Sequence, residues 1–100
     1  MTLCTSWCYY CKLNCSDDAE KTISSGFFRL EKGTPLVYSY WYDEMKIILE
    51  GEFHISDECG NVVIGKPGDV FKFPKGCKIT FDTPTMGLAF FVGQRETGKL

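Results

Sequence analysis

Long apolar runs are absent from this sequence, because no stretch of its 100 residues approaches the roughly 18–20 apolar side chains of a membrane-spanning helix. Basic residues are few and scattered, with 11 Lys and Arg against 13 Asp and Glu and a formal net charge of −2. Without a basic stripe to neutralise phosphates, no nucleic-acid partner is expected. Met1 to Cys15 lacks the basic start and apolar centre of a secretion signal. We therefore expect a soluble, cytoplasmic protein that binds neither nucleic acid nor membrane.

Helical periodicity is also missing between Lys21 and Leu100. Short runs rich in β-branched and aromatic residues instead alternate with turns that contain glycine and proline. Strands are predicted at Thr22–Leu30, Leu36–Tyr42, Glu44–Leu49, Glu52–Asp57, Val62–Gly65, Asp69–Phe73, Lys78–Asp82 and Gly87–Gln94. Eight short strands with tight turns are typical of a sandwich or a closed barrel, and 100 residues leave room for one domain.

Six cysteines would indicate a disulfide scaffold in a secreted protein, but no secretion signal is visible, so most are expected to be free thiols. Four of them lie within the first fifteen residues, at Cys4, Cys8, Cys11 and Cys15. The first three have the iron–sulfur spacing of radical-SAM enzymes, but no βα pattern accompanies it, so chance spacing is the preferred interpretation. A structural zinc site is the other hypothesis. Residues 1–21 are the least regular part, and we expect an N-terminal arm that packs on residues 22–100 or on a partner subunit.

Two motifs carry a family resemblance. Gly68–Gly76 has the form G-(x)5-P-x-G, and Glu44–Gly51 has the form E-(x)6-G. They resemble the start of the second cupin motif and the end of the first. Shorter matches are similar to the EutQ-like branch of ethanolamine-utilisation proteins: Gly26-Phe27, Tyr42-Asp43-Glu44, Leu49-Glu50-Gly51, Pro67-Gly68-Asp69-Val70 and Pro74-Lys75-Gly76. The resemblance extends from Gly26 to Val92.

The resemblance implies an all-β fold, a single small jelly-roll-like cupin barrel over residues 22–100. Metal-binding cupins have three histidines and a glutamate at positions that are here Tyr38, Tyr40, Glu44 and Ile79. Isoleucine has no ligand atom, and phenols bind divalent metals poorly because they must first lose a proton whose pKa is about 10. We therefore expect no metal and no cofactor. A homodimer is expected, since a lone barrel of this size is marginal and cupins often bury sheet edges across a twofold axis.

Alternation along the strands selects the side chains that would face the barrel interior. If Glu44 points inward, Lys46 and Ile48 do so too. Glu44, Tyr38 and Tyr40 are predicted to be catalytic. The residues predicted to contact a substrate are Lys46, Ile48, Phe71, Phe73, Cys77, Ile79 and Phe81. Apolar walls with a few convergent polar groups are typical of a small-molecule pocket.

Each polar candidate also has a structural interpretation. The two tyrosines could simply fill the barrel. Glu44 could be a rim carboxylate paired with Lys46, or Lys46 could lie on the surface where the strand twists outward. His54, the one histidine, is expected to face away from Phe53 and Ile55 in a structural or solvent-facing position.

Three functions fit these residues. The first is a metal-independent enzyme of the isomerase, lyase, dehydratase or cyclase type, with Glu44 as general acid or base and the tyrosines as proton donors. The second is a non-catalytic binding or microcompartment-accessory cupin, which needs the same pocket without the acid–base pair. The resemblance also implies acetate kinase activity as a third, although no glycine-rich phosphate loop is visible.

Overall fold

A computed structural model describes residues 13–18 and 20–95, and all regular structure in these ranges is β-strand. The strands are β1 (Leu13–Cys15), β2 (Ser24–Glu31), β3 (Leu36–Ser39), β4 (Glu44–Gly51), β5 (Phe53–Asp57), β6 (Val62–Gly65), β7 (Val70–Phe73), β8 (Lys78–Asp82) and β9 (Met86–Gly93). Within these ranges there is no helix with the length and apolar character to cross a membrane.

The strands form two antiparallel sheets that pack as a jelly roll. The larger sheet has the order β1-β2-β9-β4-β7, and the smaller has the order β3-β8-β5-β6. The prediction of an all-β jelly-roll fold is confirmed. All eight predicted strands are present, and β1 is an addition that pairs with β2 through Leu13 and Gly26. Residues 1–12 of the predicted N-terminal arm, with Cys4, Cys8 and Cys11, lie outside the described residues, as does residue 19.

Alternation along β4 decides which side chains face the space between the sheets. Glu44, Lys46 and Ile48 are buried, whereas Met45 is exposed and Ile47 is half-buried. The predicted inward parity of this strand is therefore correct. The core between the sheets consists of Tyr40, Tyr42, Ile48, Phe53, Ile55, Phe73, Ile79, Phe81 and Ala89.

The turn after β4 requires glycine. The register between β4 and β9 shifts between Ile48 and Glu50, and Gly51 follows with a φ of +72°. A Cβ atom at Gly51 would lie 2.2 Å from the carbonyl oxygen of Met86. Both the backbone conformation and the space therefore exclude a side chain, and this explains the Leu-Glu-Gly turn noted in the sequence.

The outer face of the larger sheet carries a continuous apolar row. Phe27 lies opposite Phe90, Phe90 opposite Ile47, and Ile47 opposite Val70. Phe27 and Val70 are 50% and 68% exposed, and the neighbouring Met45 is 53% exposed. We call these five side chains the outer face. Exposed apolar patches of this kind commonly mark an interface.

Candidate active site

A cavity of about 260 Å³ opens between the larger sheet and β3. Residues from β2, β3, β4 and β9, from the connection between β3 and β4, and from the segment after β9 surround it: Phe27, Phe28, Leu36, Tyr38, Tyr40, Tyr42, Glu44, Lys46, Phe91 and Arg95. Most of its wall is aromatic, and its polar groups are phenols, one carboxylate and two cations. This composition is typical of a small-molecule site.

Backbone hydrogen bonds fix the connection between β3 and β4, which carries two of the tyrosines. The Tyr40 amide donates to the Cys77 carbonyl at 2.8 Å, and the Gly76 amide donates to the Tyr40 carbonyl at 2.8 Å. The Asp43 carboxylate accepts the Lys75 amide at 2.8 Å. The Pro74-Lys75-Gly76 turn therefore positions Tyr40 in the cavity wall by holding its main chain on both sides.

Glu44, Tyr40 and Lys46 form a buried hydrogen-bonded cluster. The Tyr40 hydroxyl and the Lys46 ammonium both donate to Oε2 of Glu44, the latter at 2.5 Å. Lys46 Nζ also donates to the Tyr40 hydroxyl oxygen at 3.2 Å. The side chains of Lys46 and Glu44 are only 6% and 3% exposed, so this ion pair is shielded from water and salt.

Aromatic rings enclose the ammonium group of Lys46. Its Nζ lies between 5.0 and 5.8 Å from five ring centroids, those of Phe28, Tyr40, Phe73, Phe81 and Phe91. Burial lowers the pKa of Lys46, and the adjacent Glu44 carboxylate opposes that shift. Cation–π attraction to the rings replaces part of the lost hydration.

Two tyrosines of the cavity are held as neutral phenols. Burial raises the pKa of Tyr40 far above its ordinary value, and the negative charge of Glu44 adds to the effect. Burial is also the main cause that raises the pKa of Tyr42. At neutral pH both hydroxyls therefore keep their protons and are available as hydrogen-bond donors.

Tyr38 and Arg95 complete the polar lining. The Tyr38 hydroxyl is buried, and its hydrogen bond with the Tyr42 side chain contributes to the raised pKa of Tyr42. The Tyr38 ring packs edge-to-face against Tyr40, with the ring centroids 4.8 Å apart. The Arg95 guanidinium lies 5.1 Å from the Tyr42 ring centroid and 5.5 Å from that of Phe91. Arg95 is 7% exposed, so a second cation lies buried at the cavity.

Comparison with known proteins places this architecture in a family. The model of the family described as ethanolamine utilisation protein EutQ matches residues 7–93. The chain belongs to the EutQ family. The match extends beyond the motifs between Gly26 and Val92 and reaches back to Trp7 in the cysteine-rich segment.

Solved structures and curated relatives agree with the family. EutQ from Salmonella typhimurium has 31% identity and a TM-score of 0.69, over 85% of this chain and 69% of that one. Clostridium difficile EutQ, at 21% identity and a TM-score of 0.69, shares the fold over 85% of this chain and 64% of that one. The acetate kinase EutQ of Salmonella typhimurium is 52% identical over 44% of this chain and 19% of its own length. The acetate kinase EutQ of Escherichia coli is 38% identical over 66% of this chain and 28% of its own length.

Within this EutQ-family chain, the structure brings together only part of the predicted site. Tyr38, Tyr40, Glu44 and Lys46 line the cavity, so the interpretation of Lys46 as a surface lysine is wrong. The other predicted substrate contacts do not line it. Ile48, Phe73, Ile79 and Phe81 belong to the buried core, and Phe71 and Cys77 pack against that core. They face inward as predicted but lie behind the cavity wall.

The sequence reasoning missed six lining residues, of which four are apolar and two, Tyr42 and Arg95, are polar: Phe27, Phe28, Leu36, Tyr42, Phe91 and Arg95. Tyr42 continues the alternation of Tyr38 and Tyr40, so extending that pattern by one step would have found it. Arg95 follows the last predicted strand and carries no local signal. His54 lies away from the cavity, where its Nε2 contacts Oε2 of Glu52 at 2.5 Å.

The cupin metal positions do not fit a metal ion in this EutQ-family chain. The Glu44 carboxylate is already engaged by Lys46 and Tyr40, Tyr38 and Tyr40 offer phenols, and Ile79 is a buried core side chain. Over residues 13–18 and 20–95, no three His, Cys, Asp or Glu side chains form a group suited to a metal. The absence of a metal from the purified protein stays a prediction.

Proposed function

We propose that this EutQ-family protein binds a small molecule in the cavity and catalyses metal-independent proton transfer there, as an isomerase, lyase, dehydratase or cyclase. The observation that carries the proposal is the buried cluster of Glu44, Tyr40 and Lys46 in an aromatic cavity. It combines a proton acceptor, a neutral proton donor and a fixed cation, which are the three groups that such reactions need.

Each member of the cluster has a distinct role in this proposal. Glu44 removes a proton from a carbon of the substrate and returns it to a second position. Lys46 stabilises the negative charge that develops on a substrate oxygen, and the low dielectric of the aromatic wall strengthens this interaction. Tyr40 protonates that oxygen as Glu44 removes the carbon proton, and it takes the same proton back from the oxygen when Glu44 delivers its own proton to the second position. No redox partner is needed because the substrate gains and loses the same proton.

The decisive test compares matched glutamate variants on a substrate found by thermal-shift screening of small enolisable metabolites. Glu44→Gln should lower kcat by roughly two orders of magnitude or more, the usual scale of general acid–base catalysis. Glu50→Gln, on the same strand but exposed, should leave kcat unchanged. Tyr38→Phe should cost less than Glu44→Gln. Full turnover by folded Glu44→Gln would remove the acid–base proposal and favour a binding module.

The name of the curated relatives supports a second candidate, an acetate kinase activity. The cavity has two cations, Lys46 and Arg95, that would suit an acid or phosphate group. The curated relatives are matched over only 19% and 28% of their own lengths. Acetyl phosphate formation from acetate and ATP by the purified chain, lost in a Lys46→Met variant that circular dichroism shows to be folded, would support this candidate over proton transfer.

We also propose that two copies associate through the outer face. An isologous contact would bury the exposed Phe27, Met45 and Val70 at once. Light scattering should give about twice the 11.3 kDa monomer mass. Val70→Lys should produce monomers, whereas Val62→Lys, which is 64% exposed on the other sheet, should not. A wild-type monomer at micromolar concentration would contradict the proposal.

A further inference from the structure

Lys46 has the surroundings of a nucleophilic amine. Its Nζ lies 5.0 Å from the ring centroid of Phe28 and 5.5 Å from that of Phe91, both in the cavity wall. It also lies 5.0 Å from the ring centroid of Phe81, which belongs to the core. The nitrogen is therefore placed at the boundary between the cavity and the core. Amines that are desolvated in apolar pockets are the lysines that react with carbonyl groups in enzymes.

The ion pair gives Lys46 a route to its neutral form. Oε2 of Glu44 lies 2.5 Å from Nζ, so one proton can cross this hydrogen bond. The transfer converts two buried charges into a neutral amine and a neutral carboxylic acid, a change that an apolar environment favours. Burial also lowers the pKa of Lys46, with a contribution from the charge of Arg95, while the Glu44 carboxylate opposes the shift.

No other lysine within residues 13–18 and 20–95 has these surroundings. The other six are exposed: Lys21, Lys32, Lys66, Lys72, Lys75 and Lys78. Water surrounds an exposed ammonium group and also hydrolyses an imine that forms on it. An enclosed apolar wall excludes that water, so a reactive intermediate bound to Lys46 is better protected than one at the surface.

The rest of the cavity sets the class of the carbonyl compound. The Tyr38 hydroxyl is hydrogen-bonded with the Tyr42 side chain, and Arg95 lies on two rings and has a further interaction of its own. These polar groups already have partners, and Leu36 and Phe91 offer apolar surface. A volume of about 260 Å³ suits one ring or a short branched chain, since drug-sized pockets are about 300–1,000 Å³. A small aldehyde with an apolar body meets both conditions.

We infer that Lys46 forms a Schiff base with a small apolar aldehyde bound in the cavity, and that Glu44 carries the protons of this reaction. The inference goes beyond the proposed function, in which Lys46 acts as a cation and forms no covalent bond. It rests on the contact between Nζ and Oε2, on the rings around Nζ and on the adjoining cavity. The same site would therefore bind aldehydes covalently and reversibly.

The proton balance of this reaction involves only Lys46, Glu44 and the aldehyde. Glu44 takes one proton from the ammonium group, and the neutral amine bonds to the carbonyl carbon. The π electrons of the C=O bond move onto the oxygen, which takes that proton from Glu44. Glu44 then takes a second proton from the nitrogen and gives it to the new hydroxyl, so the C–O bond breaks and water leaves as the nitrogen lone pair forms the C=N bond. The iminium nitrogen keeps the third proton and the positive charge, and Glu44 ends as a carboxylate.

The test traps the Schiff base with benzaldehyde and sodium cyanoborohydride at pH 7. Cyanoborohydride supplies a hydride that reduces the iminium group to a stable secondary amine, so each reaction adds one benzyl group to the protein. Intact mass spectrometry counts these groups, and peptide mapping locates them. Lys46 should be labelled roughly tenfold or more faster than the exposed Lys78, because a lowered amine pKa multiplies the fraction of neutral amine.

Two controls distinguish the cavity from general surface reactivity. Benzyl alcohol has the same ring without a carbonyl group, so an excess of it should protect Lys46 in the wild type and leave Lys78 unprotected. Lys46→Arg keeps a positive charge beside Glu44 but cannot form an imine, so the fast labelling should disappear, whereas Lys78→Arg should preserve it. The inference is overturned if Lys46 is labelled no faster than Lys78, or if benzyl alcohol gives Lys46 no protection.

Glu44→Gln tests the proton route and separates this inference from the proposed function. Glutamine cannot give a proton to the leaving hydroxyl, so labelling of Lys46 should slow by roughly tenfold or more, although more of the amine is neutral. Glu50→Gln, exposed on the same strand, should not change it, and an unchanged rate in Glu44→Gln would overturn the role of Glu44. Labelling of wild-type Lys46 together with full turnover by Glu44→Gln would refute the proposed function alone. Glu44-dependent turnover with Lys46 left unlabelled by benzaldehyde would refute this inference alone.

Discussion

Replacement of Lys46 by methionine should remove much of the stability of this fold. Methionine keeps most of the apolar stem but removes the ammonium group that pairs with the Glu44 carboxylate, which is 3% exposed. Breaking a buried ion pair from one side typically costs about 3–5 kcal/mol. A domain of 100 residues has a free energy of unfolding of roughly 5–15 kcal/mol, so this single change consumes a large share of it.

Replacement of Glu44, the other member of the ion pair, should destabilise the fold less. In Glu44→Gln the amide oxygen still accepts a hydrogen bond, and Lys46 keeps its five surrounding rings. Because burial lowers the pKa of Lys46, that side chain can also lose its proton more easily than an exposed lysine. We expect a loss of about 1–3 kcal/mol. The double variant leaves no buried charge in the cluster and should be more stable than Lys46→Met alone.

Urea unfolding followed by intrinsic fluorescence measures all three variants. With an m-value of about 2 kcal/mol/M, the loss in Lys46→Met should lower the midpoint by roughly 1.5–2.5 M. The matched control is Lys78→Met, an exposed lysine at the start of β8 in the smaller sheet, which should change the free energy of unfolding by less than about 0.5 kcal/mol. The reasoning is refuted if the two lysine variants lose equal stability, or if the single losses simply add in the double variant.

Three further predictions concern the turn at Gly51, the stability at alkaline pH and the metal content of the purified protein. Gly51→Ala should lower the free energy of unfolding by about 3 kcal/mol or more, because of backbone strain and the clash with Met86. Gly60→Ala is the control, since Gly60 has a φ of +87° but open space around it, and it should lower the same quantity by about 1–2 kcal/mol when both are measured by thermal unfolding. Equal losses would contradict the clash. The pKa of Tyr40 is raised in the folded state, so its contribution to the free energy of unfolding is complete below pH 10.0 and falls as the pH rises above that value. In Tyr40→Phe, the free energy of unfolding should therefore fall less steeply above pH 10.0, by about 1.4 kcal/mol per pH unit. The lowered pKa of Lys46 makes the free energy of unfolding rise with pH, so only the comparison of the wild type with Tyr40→Phe isolates the effect of Tyr40. Elemental analysis of protein purified without chelators should find no stoichiometric metal, and one equivalent that disappears in Glu44→Gln would contradict this.

Strands were predictable where local signals coincide. Val62–Gly65 and Lys78–Asp82 have the predicted bounds, because glycine- or proline-containing turns flank a short run that suits a strand. Leu13–Cys15 was missed, since three residues give no alternation and the strand depends on pairing with β2. Pairing of this kind depends on the whole fold and gives no signal in the sequence of the short strand itself.

The site was predictable in its polar centre and not in its extent. Alternation gave the inward face of Glu44 and Lys46, because side-chain direction follows from position along a strand. Alternation does not give depth along the barrel, so Ile79 and Phe81 were assigned to the cavity although they lie in the core. Arg95 reaches the cavity only because the segment after β9 passes beside Tyr42, which a local pattern does not encode.

The central position of β9 has a consequence for how the chain folds. In the larger sheet, β9 lies between β2 and β4, so neither of these strands has its main partner until residues 86–93 have been synthesised. The pairing of Ser24 with Gly93 spans almost the whole described chain. The need to close so long a loop before β9 can pair with β2 makes folding slow, and until then β2 and β4 each present an open edge. Ribosome-bound chains that end before Met86 should therefore depend on chaperones to avoid aggregation.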